Sequence, residues 1–256
     1  MSENGLIHAD VVEETFRLLG AAKQKDVPVR VLGGMAIRLH VGDLLHPAFT
    51  RPIWDIDLAA PKGTGRQVSE FLSAQGYAPN RTFNAMHGAR RLLFYDEPNG
   101  RQVDVFVGSF AMCHELPLGE RLLLEPLTLP LAELVMTKLQ IVKLNQKDMF
   151  DLYSLFLSHD VADHDAEAIN ARRIADLCAR DWGLYHTFQL NLARLQGGLA
   201  GTELSDEERE TIRTGVRALE EAIERAPKTP KWKMRARVGD RVRWYEDPEE
   251  VDRGGY

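Results

Sequence analysis

At 256 residues the chain has room for one large domain or two small ones, each with its own apolar core. A hydrophobic share of 44% and a charged share of 27% exclude a disordered or low-complexity chain. A net charge of −6 excludes a protein that is basic all over, as a general nucleic-acid coat would be, but leaves room for a local basic patch. Cys113 and Cys178 are too far apart in sequence for metal-ligand spacing and give no disulfide framework, which suggests a reducing compartment. The N-terminus has no apolar core of signal-peptide length and no run is long enough to span a bilayer, so a cytoplasmic protein without membrane partners is expected.

From His8 to about Lys25, apolar residues recur at helical spacing, and Val27 to Leu32 reads as a short β-branched strand. Gly33-Gly34 follows, then a helix start at Met35. A strand, two glycines and a helix N-terminus can seat a phosphate, because glycine lets the backbone approach closely and free N–H groups point at the anion. The same pattern is also simply a tight turn. After a loop from Gly42 to Pro52 comes Arg51-Pro52-Ile53-Trp54-Asp55-Ile56-Asp57-Leu58-Ala59-Ala60, an apolar strand carrying two acids. Alternation along a strand puts Asp55 and Asp57 on one side and Ile56 and Leu58 on the other. Adjacent carboxylates repel and are costly to desolvate, and a bound cation relieves both effects. Mg²⁺ takes one or two carboxylates and completes its shell with water and substrate phosphates. A strand end that carries two acids by chance is the plainer alternative.

A helix from about Arg66 to Gln75 turns Val68, Phe71 and Leu72 inward. Arg90 to Tyr95 and Gln102 to Val107 then flank Glu97-Pro98-Asn99-Gly100 as a hairpin. Asp104 interrupts the second hairpin strand; it is either a solvated edge residue or the third acid of a metal-binding triad. The order helix, strand, Gly-Gly, helix, Asp-x-Asp strand, helix, hairpin with a third Asp resembles the nucleotidyltransferases of the DNA polymerase β superfamily, over roughly the first 110 residues. The resemblance implies that Gly33 and Gly34 face a nucleoside triphosphate, that Asp55 and Asp57 hold two Mg²⁺ ions (or Mn²⁺ in their place), and that Asp104 binds the ion that activates the attacking hydroxyl. Gly-Gly stands where the family commonly has Gly-Ser. The loop between Gly34 and Asp55, with His40, His46 and Arg51, is about twice the usual length.

Further along, Pro130 opens a helix read from Leu131 to Leu144. Its apolar stripe is Leu131, Leu134, Val135 and Val142, with Lys138 inside the stripe and Glu133, Gln140 and Lys143 opposite. A lysine on a buried face needs an anionic partner or an outlet to solvent. Pro130-x7-Lys138 followed by Lys147-Asp148-x-x-Asp151-Leu152, together with Gly33-Gly34-Met35-Ala36, resembles the AbiEii-type nucleotidyltransferases of bacterial toxin–antitoxin and phage-defence systems, over about 125 residues. Lys138 is read either as snorkelling from the end of a packed face or as a cation aimed at a nucleotide phosphate across an inter-domain cleft; Arg51 is read as a further phosphate contact, and the resemblance brings Asp148 and Asp151 in as accessory site residues. From the helix pattern alone, Asp148 borders the apolar stripe and Asp151 faces solvent.

Asp163 to about Leu199 reads as helical material broken near Asp181-Trp182-Gly183. Ser205 to Glu208 is a capping box for a helix that buries Ile212, Val216, Leu219 and Ile223. Pro227 to Arg243 carries seven Lys/Arg, with Trp232 within it and Trp244 next to it. Such a segment either meets nucleic acid by charge and stacking or is a solvated tail docked by its tryptophans. Asp247 to Tyr256 reads as a frayed end.

The expectation is an α/β (α+β) protein. A polymerase β-like nucleotidyltransferase domain with a mixed sheet covers residues 1–115, a helical domain residues 116–226 and a basic tail residues 227–256, with the site between the first two. The resemblances imply transfer of an NMP from an NTP to an acceptor hydroxyl with release of pyrophosphate. They point to an RNA or tRNA end as acceptor and to a small antitoxin protein as partner. A catalytically silent nucleotide-binding module, an antitoxin-like interaction protein and an antibiotic-modifying nucleotidyltransferase are the alternatives.

Overall fold

The computed structural model describes residues 7–248. The chain clusters into two units, one made of Met1–Phe110 and Pro117–Leu134, the other of Ala111–Leu116 and Val135–Tyr256. Together they form a mixed α/β protein.

In the first unit, α1 (Val11–Gln24) starts where Asp10 accepts hydrogen bonds from the N–H groups of Val12 and Glu13, both at 2.9 Å. Its inward face carries the fully buried Glu14. Burial alone would raise this carboxyl, but hydrogen bonds from Arg17 and Tyr77 outweigh it and hold the group below the ordinary range. The strand expected from Val27 is shorter in the structure: β1 covers only Arg30–Leu32 and leads directly into α2 (Gly33–Val41). Then come β2 (Ile56–Ala60), α3 (Gly65–Ala74), β3 (Ala78–Pro79), α4 (Arg81–His87), β4 (Arg91–Asp96) and β5 (Arg101–Val107). The expected hairpin is present as β4 and β5, turning at Glu97–Gly100, where Gly100 has φ +62°. Neither β3 nor α4 had a signal in the hydrophobic pattern; α4 is too short for one and is started by Asn80, whose side chain accepts from Phe83 N–H at 3.0 Å.

The strands form one sheet in the order β1-β2-β5-β4-β3. It is mixed: β2 and β5 run parallel, and the other neighbouring pairs antiparallel. The central strands bury Ile56, Leu58, Val103, Val105 and Leu93 completely, which is why they read as nearly continuous apolar runs. Two short strands, β6 (Ser109–Ala111) and β7 (Glu115–Pro117), pair with each other.

The helix α5 (Leu131–Leu139) straddles the division between the units, and the second unit continues with α6 (Gln146–Ser158). The expected helix to Leu144 is corrected to one that stops at Leu139. The buried Asn191 donates to the carbonyls of Leu139 at 2.7 Å and Ile141 at 2.8 Å, and Arg194 donates to that of Val142 at 2.7 Å. Side chains thus satisfy the carbonyls that another helical turn would have used. Nor do the polar residues placed opposite the stripe face water there: Glu133 within α5 and Gln140 just after it are both buried. Glu133 is held by Arg121 (2.8 and 2.9 Å), and Gln140 accepts the His114 N–H (2.6 Å).

A parallel ladder joins β8 (Asp160–Ala162), just before the stretch read as helical, to β9 (Ala168–Asn170) within its start, so that α7 (Ala171–Cys178) begins only at the Asn170 cap. After it come α8 (Trp182–Gly198), capped by Asp181, and α9 (Asp206–Arg225), whose Ser205–Glu208 capping box and four inward residues are as expected. The basic segment forms α10 (Pro230–Val238), none of whose residues is buried. Of the stretch read as a frayed end, residues 249–256 lie outside the described residues. Among the described residues no helix is long and apolar enough to cross a membrane.

One polar knot in the second unit has a pH consequence. Trp244 Nε1 donates to Thr187 Oγ1 at 3.0 Å, and His114 Nε2 lies 2.8 Å from the same oxygen. Indole N–H can only donate, so Thr187 Oγ1 accepts from Trp244 and keeps its own proton and a second lone pair, either of which can meet Nε2 of a neutral imidazole. Burial pushes the His114 pKa down from 6.5 to about 4, against the pull of Asp181. Between these two values the unfolded chain binds a proton that the folded chain refuses. The stabilising contribution is therefore complete above pH 6.5 and is lost as pH falls toward 4, by about 3 kcal/mol. Urea titrations at pH 7 and pH 4.5, followed by tryptophan fluorescence, should show that His114→Gln loses about 2 kcal/mol less than the parent protein on acidification. An identical loss in both would contradict the assignment.

Candidate functional site

The sheet register builds the acidic site. Leu32 of β1 is opposite Asp57 of β2, Asp57 is opposite Asp104 of β5, and Asp104 is opposite Leu93 of β4. Residues in register on neighbouring strands project to the same face, with strands about 4.8 Å apart. Asp57 and Asp104 are therefore side by side on one face, one residue along the chain from the turn into α2. Asp55 lies one residue before β2 begins, and it and Asp57 are half-buried.

The same row explains the two glycines. Gly33 has φ +67°, and a Cβ there would land on the Asp57 carboxylate. A Cβ on Gly34 would come within 2.5 Å of a guanidinium nitrogen of Arg51. An acid and a base thus press against consecutive backbone positions; the positive φ makes glycine a requirement at Gly33, while at Gly34 a side chain would displace the end of Arg51. Leu32, at the N-cap of α2, brings no side-chain oxygen to the first-turn N–H groups, and that turn contains no acid of its own. Asp57 supplies negative charge at the positive end of the helix from the neighbouring strand.

Asp104 is 4% exposed and Arg91 8%. Arg91 Nε donates to Asp104 Oδ1 at 2.8 Å and a terminal nitrogen to Oδ2, a bidentate charge-assisted pair. The guanidinium lies over the rings of Phe106 and Phe83, at 5.1 and 5.6 Å from their centres. Among the described residues no group of three or more His, Cys, Asp or Glu side chains has the arrangement to hold a metal ion.

Other residues of the long loop have structural duties. His40 falls within α2, and its Nε2 lies 3.1 Å from the Leu129 carbonyl and 2.8 Å from Thr128 Oγ1. His46 caps a 3-10 turn by accepting from Ala48 N–H at 3.2 Å. Arg51 alone of the three is beside the glycines.

Lys138 belongs to the second unit. Its ammonium pairs with Asp148 at 2.9 Å and Asp151 at 2.8 Å. Burial works against the charged form, but the two carboxylates outweigh it and hold the lysine above its ordinary pKa. The solvent-facing position expected for Asp151 is corrected: it is 7% exposed, because α6 turns it toward Lys138. Both cysteines are buried, and burial pushes the Cys178 thiol far up, which removes it as a nucleophile. A groove of about 980 Å³ between the end of α6, β8 and α9 contains none of the residues named above.

No family model, no characterised protein and no solved structure matches this chain.

Arg91 is the site residue that the sequence reading missed, although the register carried a signal. Counting back from the Glu97–Gly100 turn sets Leu93 opposite Asp104, which leaves Arg91 two residues away on the same face, within reach of a diagonal ion pair. Removing one partner of a buried pair costs about 3–5 kcal/mol, whereas replacing both with apolar groups can be close to neutral. Arg91→Met should lower unfolding free energy by about 3 kcal/mol in urea, and Arg91→Met with Asp104→Leu should recover most of the loss. A double variant as unstable as the single one would show that Asp104 is held by something other than Arg91.

Proposed function

We propose that the chain is a divalent-metal-dependent nucleotidyltransferase that moves an NMP from an NTP to an acceptor hydroxyl, and that the first unit carries the NTP site. The observation that supports it is the convergence of the Gly33-Gly34 turn, Arg51 and Asp57 at the N-terminus of α2, with Asp104 next in the same row. The polymerase β-like and AbiEii-type resemblances of Gly33-Gly34, Asp55-x-Asp57, Asp104, Lys138 and Asp148-x-x-Asp151 support the same reading.

In this proposal the first-turn N–H groups of α2 and the Arg51 guanidinium bind and orient the triphosphate. Asp55 and Asp57 are the donor set for the cation: two carboxylates one residue apart suit an ion that shares its shell with phosphate oxygens. The ion would supply charge neutralisation for an in-line displacement. The acceptor oxygen bonds to the α-phosphorus, the bond from that phosphorus to the bridging oxygen breaks, and pyrophosphate leaves with its electron pair. The acceptor proton passes to a nearby base, for which Asp57 and Asp104 are the candidates. An RNA or tRNA 3′ hydroxyl is the acceptor that the AbiEii-type resemblance suggests.

Asp104 already gives one lone pair of each oxygen to Arg91 and is 4% exposed, so it can join the ligands only through the lone pairs that remain. That pairing favours a second reading, a nucleotide-binding module without turnover. Incubation with labelled NTPs, Mg²⁺ and total RNA separates the two. The enzyme reading requires labelled product from the parent chain and at least about a hundredfold less from Asp55→Asn and Asp57→Asn, with Asp43→Asn, an exposed acid, unaffected. Metal-dependent NTP binding without product would establish the module instead.

Lys138 makes a separate prediction. With two carboxylates left facing each other, Lys138→Ala should lower stability, by about 3 kcal/mol in urea. If the lysine also meets a phosphate, NTP affinity measured on the folded variant at low temperature should fall at least about tenfold. Unchanged affinity beside lowered stability would confine it to its ion pairs.

A further inference from the structure

The tryptophans that suggested base stacking face inward. Trp232 stacks edge-on against Tyr185 at 5.1 Å, and Trp244 meets Trp182 at 6.5 Å and His186 at 4.8 Å while its N–H is bonded to Thr187. Two of the cations are used in the same docking, and a third is paired within the segment's own end. Lys228 donates to the Ile223 carbonyl and lies over Tyr185. Arg235 lies 4.6 Å over Trp182 and donates to the carbonyls of Gly239 and Val242. Arg243 pairs with Asp247.

A different set is left outside. Lys231, Lys233, Arg237 and Arg241 are all exposed, and among the described residues none of them makes an ion pair. Asp240 is the sole acid within residues 231–242. Met234 and Val238, 64% and 41% exposed, lie between these cations in sequence, and Val242, 57% exposed, follows the last of them. Met234 and Val238 are four residues apart on α10, hence on one face, with Lys231 three residues before Met234 on that same face. Exposed apolar groups that share one helix face with cations beside them, instead of being scattered singly, mark a contact surface. A nucleic-acid surface would present aromatic or polar groups between its cations; this one presents a flexible methionine and two valines.

We propose that α10 and the turn after it form a docking surface for an acidic amphipathic helix of a partner protein, whose leucine-like face would cover Met234, Val238 and Val242 and whose carboxylates would meet the four cations. Such a helix fits by its i, i+3, i+4, i+7 apolar positions, and its charge complements a local basic patch on a chain of net charge −6. The surface shares no residue with the glycine–aspartate site and does not depend on the chemistry proposed there.

The probe is a fluorescein-labelled synthetic peptide of about twenty residues, with leucines at i, i+3, i+4 and i+7 and glutamates elsewhere. Its anisotropy is titrated with the full chain, against a scrambled peptide of equal composition and a labelled hairpin RNA. The expected result is saturable binding of the patterned peptide only, weakened at least tenfold by the charge reversal Lys231→Glu with Lys233→Glu, Arg237→Glu and Arg241→Glu. Met234→Ser with Val238→Ser and Val242→Ser should weaken it as much, with circular dichroism and Tm of both variants unchanged. All substituted side chains are exposed, and Met234→Ser alone serves as the milder variant should either combination unfold. Equal binding of the scrambled peptide, no binding of the patterned one, or RNA binding that the charge reversal abolishes and the serine variant keeps would each overturn the proposal.

Discussion

The register that puts Asp57 between Leu32 and Asp104 constrains nearly everything around the acidic face. Because β1 is opposite β2 at that row, the chain leaving Leu32 must turn next to a carboxylate. It can do so only with a residue that lacks a Cβ and accepts positive φ, and Gly33 has both properties. A one-residue slip of β2 would move both strand acids and all of its apolar residues to the wrong faces. The buried Ile56 and Leu58 on the other side of the strand therefore hold the acid in position as firmly as any hydrogen bond, since the register is fixed by their burial.

A second constraint is that acids inside this protein are matched by cations. Glu14 has Arg17, Glu133 has Arg121, Asp104 has Arg91, and Asp148 with Asp151 share Lys138. In each case an ion taken from water retains most of its solvation only through the partner, and losing that partner costs more than the pair itself contributes. The pairs fix geometry in addition to charge. Arg91 is bidentate and lies over two phenylalanine rings, so the Asp104 carboxylate is held in one plane. Such rigidity suits a positioned catalytic base and a purely structural pair equally well, which is why the Arg91 and Asp104 variants are informative together.

What could be read from the sequence was what local pattern controls. The hairpin, the α3 face of Val68, Phe71 and Leu72, the capping box at Ser205 and the four-residue stripe of α9 all depend on neighbours within a turn or two, and all are present. The failures share a tertiary cause. The helix through Leu144 was ended by Asn191 and Arg194, some fifty residues later in the chain, which bind its carbonyls. Asp151 was placed in solvent because helical spacing says which side a residue lies on, not that a lysine from the preceding helix waits there. Lys138 itself was legible in a weaker sense: a cation inside an apolar stripe required an anion, but the pattern did not say whether a protein or a ligand supplied it.

Residues 227–243 show how one composition divides between two uses. Tryptophan and lysine in alternation suggest stacking and charge directed at the same partner, yet a helix of nine residues must bind its own protein before it can offer anything to another. α10 does so with its largest apolar groups. Trp232 goes inward, as Trp244 does beyond the helix, and Arg235 of α10 and Lys228 before it lie over aromatic rings, where a cation loses less hydration than full burial would demand. The shorter apolar side chains and the remaining cations are left outward by geometry alone. A partner of the proposed kind would meet methionine and valine beside lysine and arginine, so its own surface would have to offer both apolar and acidic groups.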